Sequence, residues 1–291
     1  MTIHKYERVL HMRKYKLSEK QIEAFKLNLL EEERSEHTIE KYLRDIRVFQ
    51  TFIAGRELNK QAVMDYKQYL VDKYKPASVN SMLAGIKSFF SFCGWPELTV
   101  KSLKIQRTLF AEPERELSKV EYSRLVAAAK ARNNERLCLL MQTICATGIR
   151  VSELSFITVE AAKSGRAEVR CKGKHRTVFI MPKLKKLLLG YAKRNSIITG
   201  TVFISRNGNP LNRHNIWADM KALCEFADVD ASKVFPHNLR HLFARTFYSI
   251  EKDLNRLADI LGHSSINTTR IYTMECGAGH VKILKKMPLL L

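Results

Sequence analysis

The segment between residues 236 and 272 holds the side chains best suited to chemistry. His237 and Arg240 stand three positions apart in a segment that is predicted to be helical. Residues at this spacing are neighbours on one helix face, so both can bind one small anion. His263 and Tyr272 follow and add an imidazole and a hydroxyl group. The pattern predicts a phosphate grip with a hydroxyl nearby, although any one of these residues alone is more often a core or partnered residue than a catalyst.

A second candidate group lies near the middle of the chain. Arg150 stands at a predicted tight turn after Gly148, and Glu153 lies one helical turn further on. The Glu153 carboxylate is therefore expected to orient the Arg150 guanidinium. An ion pair without a catalytic role is the alternative interpretation.

The chain is strongly basic. Its 291 residues include 50 Lys and Arg against 29 Asp and Glu, which gives a formal net charge of +21, and both halves share the excess. Such a charge predicts a polyanionic partner, either nucleic acid or an anionic membrane surface, and a generically basic protein is the alternative. The sequence shows neither a signal-peptide pattern nor a run of about 18 apolar residues. We therefore expect nucleic acid rather than a membrane.

The cysteine pattern argues against a metal centre. Six cysteines lie at positions 93, 138, 145, 171, 224 and 276, and no two have the two-residue spacing of zinc or redox sites. The sequence thus predicts no metal and no disulfide framework, and reduced thiols favour a cytoplasmic protein.

The periodicity of apolar residues predicts two domains. Residues 1–16 are basic and irregular and are predicted to form an N-terminal arm. Residues 17–103 contain four predicted amphipathic helices, which indicate a small helical bundle. Residues 104–117 lose this periodicity, contain a proline and are predicted to be a linker. Residues 118–291 then form a second domain that ends in a short basic and apolar tail.

The second domain is predicted to be mainly helical. It begins with a capping box from Ser118 to Glu121 and continues with a helix over about 134–146. Two alternating segments, 167–171 and 175–180, predict a β-hairpin with a basic tip. A short strand is expected at 202–204. Further helices are expected at about 213–227, 237–250, 252–262 and 266–273.

Together these residues resemble the tyrosine recombinases, also called the phage integrase family. The matching segments occur in the order of that family, and they are Ala146–Leu154, Lys172–Lys174, Pro236–His241, Leu261–Ser265 and Thr268–Tyr272. The N-terminal bundle also looks like the SAM-like core-binding domain of the family, so the resemblance covers most of the chain. It implies a mainly α fold with a small β-hairpin, of the α+β class, in which a helical core-binding domain precedes a catalytic domain.

The resemblance also assigns roles to individual residues. The catalytic residues that it implies are Arg150, Lys172, His237, Arg240, His263 and the nucleophile Tyr272. The hairpin tip is shorter than the commonest form in the family, so Lys174 remains the alternative to Lys172 as the catalytic lysine. Tyr272 could instead be a packed aromatic residue, and the hairpin tip could be an ordinary polar turn.

The implied activity is site-specific cutting and rejoining of double-stranded DNA through a 3′-phosphotyrosyl intermediate, without a metal, ATP or any other cofactor. The resemblance further implies a homotetramer on DNA, or a tetramer shared with a related recombinase, and a cytoplasmic, nucleoid-associated location. Integration or excision of a mobile element and resolution of multimers are both compatible with it. The alternatives are a DNA-binding or DNA-bending protein that does not cut, and a strand nicker that resembles a topoisomerase.

Some basic side chains are predicted to contact DNA outside the catalytic set. They are Lys41, Arg44, Lys87, Lys174 and Arg245. A solvated polar face is the alternative interpretation for the lysines and arginines of the bundle.

Overall fold

The computed structural model describes residues 15–105, 115–171, 174–205, 207–263 and 265–272. Most of the predicted arm, most of the predicted linker, the candidate Lys172 and the C-terminal tail therefore lie outside the described residues. Contacts between Cα atoms divide the chain into two units, Met1–Arg107 and Thr108–Leu291. The predicted fold class is confirmed, because the protein is mostly helical with one small two-stranded antiparallel sheet.

The first unit contains the four predicted helices. They are α1 (Glu19–Glu31), α2 (Glu36–Ile53), α3 (Lys60–Lys73) and α4 (Pro76–Phe92), followed by a 3₁₀ turn at Pro96–Leu98. Ser18 begins α1 with a capping box, in which its side chain accepts from Gln21 and the Gln21 side chain accepts from the Ser18 backbone. Aromatic side chains fill the core, where the ring of Phe49 lies 4.9 Å from Tyr66 and 5.8 Å from Phe90. The bundle is therefore held mainly by burial of large apolar rings.

The second unit carries the sheet and nine further helices within the described residues. They are α5 (Lys119–Ala131), α6 (Glu135–Thr147), α7 (Val159–Ser164), α8 (Pro182–Arg194), α9 (Arg213–Lys221), α10 (Cys224–Ala227), α11 (Pro236–Glu251), α12 (Leu254–Leu261) and α13 (Ile266–Thr269). Short 3₁₀ helices lie at Val151–Phe156, Ala231–Lys233 and Arg270–Tyr272. The predicted capping box of Ser118 and Glu121 begins α5.

The predicted hairpin is present, and its tip at residues 172–173 lies outside the described residues. Strands β1 (Arg166–Cys171) and β2 (Lys174–Phe179) pair in antiparallel register, with Val169 opposite Arg176 and Ala167 opposite Val178. Val169 and Val178 are buried, whereas Phe179 is exposed. Alternate positions of β2 therefore face the core, and Arg176 belongs to the same face as the buried Val178.

Three local predictions for the second unit were wrong. The helix expected at 213–227 is interrupted, because the Leu223 N–H bonds to Met220 three residues back and tightens the chain between α9 and α10. The strand expected at 202–204 is reduced to isolated bridges, one of which ends at Pro210, a residue that has no N–H to extend a ladder. The helix α7 was not predicted at all; it is short and is capped by the side chain of Thr158.

None of the helices in the described ranges is both long and apolar enough to cross a membrane.

Gly148 ends α6 at a crowded position. Its backbone is left-handed, with a φ of 64°, and its N–H bonds to the Ile144 carbonyl. A Cβ atom at this position would lie 2.5 Å from the ring of Phe243 and 3.0 Å from a methyl group of Leu261. The glycine therefore allows α6, α11 and α12 to approach closely.

We expect Gly148→Ala to destabilise the protein by about 2–5 kcal/mol, because a left-handed alanine costs roughly 1–2 kcal/mol and overpacking adds roughly 1–3 kcal/mol. The measurement is the free energy of unfolding in urea. Gly200→Ala is the matched control, since Gly200 has a φ of 76° but open space around its Cβ position. Equal losses for the two variants would contradict the proposed crowding.

Candidate active site

The guanidinium of Arg240 lies at the centre of the candidate site. It projects from α11 and is 1% exposed. Its Nη1 donates to the Gly148 carbonyl, and its Nη2 donates to the Leu261 carbonyl at 2.7 Å. Burial lowers the pKa of Arg240 to about 10, and the charge of Arg150 contributes to this shift. The side chain therefore stays charged at neutral pH and is fixed in one orientation.

Tyr272 lies close to this guanidinium, at the end of the chain segment that the structure describes. It lies in the 3₁₀ turn after α13 and is buried, and its interaction with Arg240 partly offsets the lowering of the Arg240 pKa. Its ring packs edge-on against His241 at 4.8 Å and is stacked with His263 at 5.9 Å between ring centroids. Tyr272 and Arg240 of one chain are thus brought together on either side of His263.

The contacts of His263 fix its protonation state. Its Nε2 lies 3.1 Å from Nη2 of Arg240, and an arginine only donates hydrogen bonds, so Nε2 must accept. The proton of the neutral ring is then on Nδ1, which donates to Oγ1 of Thr269 at 2.9 Å. Burial and the charge of Arg240 lower the pKa of His263 to about 4, with smaller contributions from Arg150 and Arg176. At neutral pH this histidine is uncharged, with its Nε2 lone pair directed at Arg240.

Arg150 forms the expected ion pair with Glu153. Its Nη1 lies 2.9 Å from Oε1 of Glu153, and its backbone N–H donates to Oε2, also at 2.9 Å. Oε2 accepts in addition from Arg176 at 2.5 Å. Burial raises the pKa of Glu153, but the bonds from Arg150 and the charge of Arg176 outweigh this and leave the pKa below its ordinary value. The carboxylate is therefore ionised and holds two guanidinium groups.

His237 stands at the opening of the site and packs edge-on against His241, with ring centroids 4.5 Å apart. Desolvation by the surrounding protein lowers the pKa of His237, and the charges of Arg240, Arg150 and Arg213 lower it further. Burial likewise lowers the pKa of His241 to about 4, and its Nε2 is buried without a hydrogen-bond partner. Both rings are therefore predominantly neutral at neutral pH.

A cavity of about 790 Å³ lies beside these side chains. Its wall includes Arg150, His237 and Arg240, and it extends past Arg213 and Trp217 of α9. Two guanidinium groups that face one cavity favour binding of an anion, because charge-assisted hydrogen bonds to phosphate are short and strong. Nε of Arg240 is buried without an acceptor among the described protein groups.

The structure brings together Arg150, His237, Arg240, His263 and Tyr272 but gives no position for Lys172. Lys174 begins β2, and its side chain lies outside the described atoms. Which lysine is catalytic therefore stays a prediction. Within the described ranges, no group of three or more His, Cys, Asp and Glu side chains is placed to hold a metal ion.

The residues predicted to contact DNA differ in how free their charges are. Lys41 pairs with the buried Asp45 at 2.5 Å and donates to the Ser81 carbonyl, so its charge is largely used inside the bundle. Arg245 pairs with Glu116 and donates to the Leu117 carbonyl at 2.7 Å. The other two with described side chains, Arg44 and Lys87, are exposed. A DNA contact by any of these residues stays a prediction.

The sequence analysis missed two residues that hold the site. Arg176 binds Glu153, and Thr269 accepts from His263. The sequence does contain a pattern that indicates Arg176. It stands two positions before Val178 in the predicted strand, so it is a charged residue on the apolar face. No comparable pattern distinguishes Thr269 from other threonines.

Comparison with known proteins gives one consistent result. Residues 115–276 match the model of the phage integrase family, and residues 22–95 match that of the phage integrase N-terminal SAM-like domain. Tyrosine recombinase XerC of Roseiflexus castenholzii is 31% identical over 280 residues, which is 87% of this chain and 88% of that protein. Tyrosine recombinase XerD of Pseudomonas aeruginosa is 27% identical, over 84% of this chain and 88% of that protein.

Solved structures of similar fold have lower identity. The XerH site-specific recombinase in a post-cleavage complex with a palindromic difH substrate has a TM-score of 0.71 at 18% identity, and the match covers 94% of this chain and 90% of that one. A lambda integrase dimer bound to a COC′ core site has a TM-score of 0.69 at 16% identity, with 87% and 76% covered. At these identities the likeness concerns the fold.

The protonation state of His263 predicts how stability depends on pH. Its pKa is about 4 in the folded protein against an ordinary value of 6.5, so its contribution to stability is complete above pH 6.5 and is lost as the pH falls towards 4. Measured as the urea midpoint at a series of pH values, this loss should be smaller in His263→Gln. His214→Gln, which changes an exposed histidine on α9, should keep the original pH response. An unchanged response in His263→Gln would contradict the assignment.

Proposed function

The chain belongs to the phage integrase family and is a tyrosine-type site-specific recombinase, and on this basis we propose that it cuts and rejoins double-stranded DNA through a covalent intermediate on Tyr272. The observation that supports the proposal is that Tyr272 stacks on His263, whose Nε2 lies 3.1 Å from Arg240, the same guanidinium that lines a cavity with Arg150. This arrangement supports a site in which one nucleophile and two phosphate-binding groups act on the same phosphate.

In the proposed step, Oη of Tyr272 attacks the phosphorus of the scissile phosphate. The new Tyr–O–P bond forms as the bond from phosphorus to the 5′ oxygen breaks, the phenol gives up its proton, and the 5′ oxygen takes one. The 3′-phosphotyrosyl ester keeps the energy of the original phosphodiester. A 5′ hydroxyl group from a partner strand can then attack this ester and restore both the phosphodiester and the free tyrosine, so no ATP is required.

Arg150 and Arg240 neutralise the charge that develops on the nonbridging oxygens. The planar guanidinium matches two phosphate oxygens at once, which a lysine ammonium cannot do. Because both arginines are held by protein groups before the reaction, little reorganisation is needed. Removal of one such donor typically costs roughly 3 kcal/mol of transition-state stabilisation.

The histidines and the lysine handle hydrogen bonds and protons. The neutral His263 has an acceptor nitrogen directed at Arg240, and it also stacks on the Tyr272 ring, so it can support both groups. His237 faces the cavity and can hydrogen-bond the phosphate. We propose Lys172 as the residue that protonates the departing 5′ oxygen, with Lys174 as the alternative.

We further propose that the protein acts on DNA as a homotetramer in the cytoplasm, with a tetramer shared with a related recombinase as the alternative. The net charge of +21 favours DNA as the partner. One similar structure is that of a recombinase bound to its difH substrate, and another is an integrase dimer bound to a core site. Exchange of strands between two duplexes needs four cuts, which four protomers with one nucleophile each would supply. Integration, excision and multimer resolution all use this chemistry.

Tyr272→Phe tests the covalent step. With a nicked suicide substrate that contains the target site, the unchanged protein should form a DNA adduct that survives denaturation, and Tyr272→Phe should form none while its DNA affinity changes less than about threefold. Tyr248→Phe is the matched control on α11 and should retain capture. A DNA-binding protein that does not cut would form no adduct in any of the three forms.

A plasmid with two target sites separates recombination from nicking. A recombinase should exchange the flanking sequences and yield inverted or excised products, and the yield should rise cooperatively with protein concentration if four protomers assemble. Sequencing across the sites measures the exchange. Relaxed plasmid with unexchanged flanks would instead support a strand nicker that resembles a topoisomerase.

A further inference from the structure

We propose that Arg176 is a positioning residue for the cleavage step: it neutralises Glu153, so that Arg150 keeps its positive charge for the phosphate, and it fixes the loop that carries His263. This inference rests on the proposed function. It assigns a role to a strand residue that does not line the described cavity and that lies on the buried face of the hairpin.

Arg176 connects three parts of the second unit through its guanidinium and stem. Nη2 binds Oε2 of Glu153 at 2.5 Å, and Nη1 donates to the Ile260 carbonyl at 2.8 Å near the end of α12. The side chain is 10% exposed. Its backbone is held by the β-ladder, opposite Val169. The guanidinium is therefore placed by a rigid element rather than by a loop.

The charges explain why a second arginine is needed at Glu153. The carboxylate is ionised and almost fully buried, and Arg150 is its partner on one oxygen. With Arg150 alone, the pair would be neutral, and the carboxylate would oppose binding of an anion beside it. Arg176 supplies a second positive charge, so the group of two arginines and one glutamate keeps a net charge of +1. Arg150 can then be oriented by Glu153 without losing its attraction for phosphate.

The second contact of Arg176 acts on the His263 loop. The last carbonyls of a helix have no partner within it, and here Arg176 binds that of Ile260 while Arg240 binds that of Leu261. Cationic groups at this end also interact favourably with the helix dipole. The two arginines therefore hold the end of α12 from β2 and from α11, immediately before His263.

Gly262 permits this arrangement. It has a left-handed φ of 63°, and a Cβ atom there would lie 2.4 Å from Cδ of Arg176. The aliphatic stem of Arg176 thus lies directly against the backbone of Gly262, next to His263. Movement of this stem would change the start of the His263 loop.

Folding stability alone gives a weaker reason for an arginine at this position. Its Nε is buried without an acceptor, and such a donor is unfavourable. A methionine of similar length would fill the space beside Val178 and Gly262 without an unpaired donor, and Glu153 would keep Arg150 as a partner. We therefore expect Arg176→Met to fold and to lose mainly the charge.

The test measures single-turnover cleavage at saturating DNA together with the DNA dissociation constant. Arg176→Met should slow cleavage at least tenfold while the dissociation constant changes less than about threefold. Arg176→Lys should restore part of the rate, because it keeps the charge but lacks the fork that spans Glu153 and Ile260. Arg166→Met, at the exposed start of the same hairpin, controls for loss of one positive charge and should cleave at the original rate.

Two further measurements distinguish charge neutralisation from general damage. In the Glu153→Gln background, the additional change Arg176→Met should slow cleavage less than it does in the original protein, because no carboxylate remains to neutralise Arg150. On DNA with a methylphosphonate at the scissile position, one nonbridging oxygen is replaced by a neutral methyl group, and the defect of Arg176→Met should shrink.

The inference is overturned if Arg176→Met cleaves at the original rate, or if its defect is equally large on both substrates and in both backgrounds. If Arg176→Met does not fold, the same criteria apply to Arg176→Gln, which also removes the charge. Failure of the proposed function is a separate outcome, because the unchanged protein would then form no covalent adduct with DNA at all.

Discussion

The candidate site depends on one buried charge, the guanidinium of Arg240. A charge in a protein interior is tolerated only when its donors are well paired, and here two backbone carbonyls, from Gly148 and Leu261, supply that pairing. These carbonyls belong to the ends of α6 and α12, so the arginine of α11 also ties three helices together. The same contacts that stabilise the charge therefore fix the position of the phosphate-binding group.

Helix ends do much of the positioning in this unit. Gly148 ends α6 and Gly262 ends α12, both with left-handed backbones, and at each helix end an arginine donates to a backbone carbonyl. A left-handed glycine turns the chain sharply, so Arg150 and His263 follow at once and point back towards Arg240. Short, tightly packed turns are suited to this role, because catalytic groups must be held within fractions of an ångström.

The sequence predicted most of the elements and the members of the site, but not the contacts that hold them. Apolar periodicity was sufficient for the four helices of the bundle and for α11, since a long amphipathic stripe leaves little ambiguity. It failed to predict α7 and wrongly predicted a strand at 202–204. At the latter place isolated bridges and Pro210 determine the local structure. Arg176 bonds to the Ile260 carbonyl, 84 residues further along the chain, and Thr269 bonds to His263, which lies 6 residues before it. The periodicity of apolar residues does not predict such pairs.

The distribution of charge is the strongest argument that the site binds an anion. Arg150 and Arg176 pair with the one carboxylate of Glu153, Arg240 adds a third positive charge, and the low pKa of His263 keeps the ring beside Arg240 neutral. The positive excess opposes folding, because like charges repel and burial removes their hydration. A phosphodiester would offset this excess. The repulsion among these arginines in the absence of DNA is thus the cost of a site whose charges are already arranged for a negatively charged substrate.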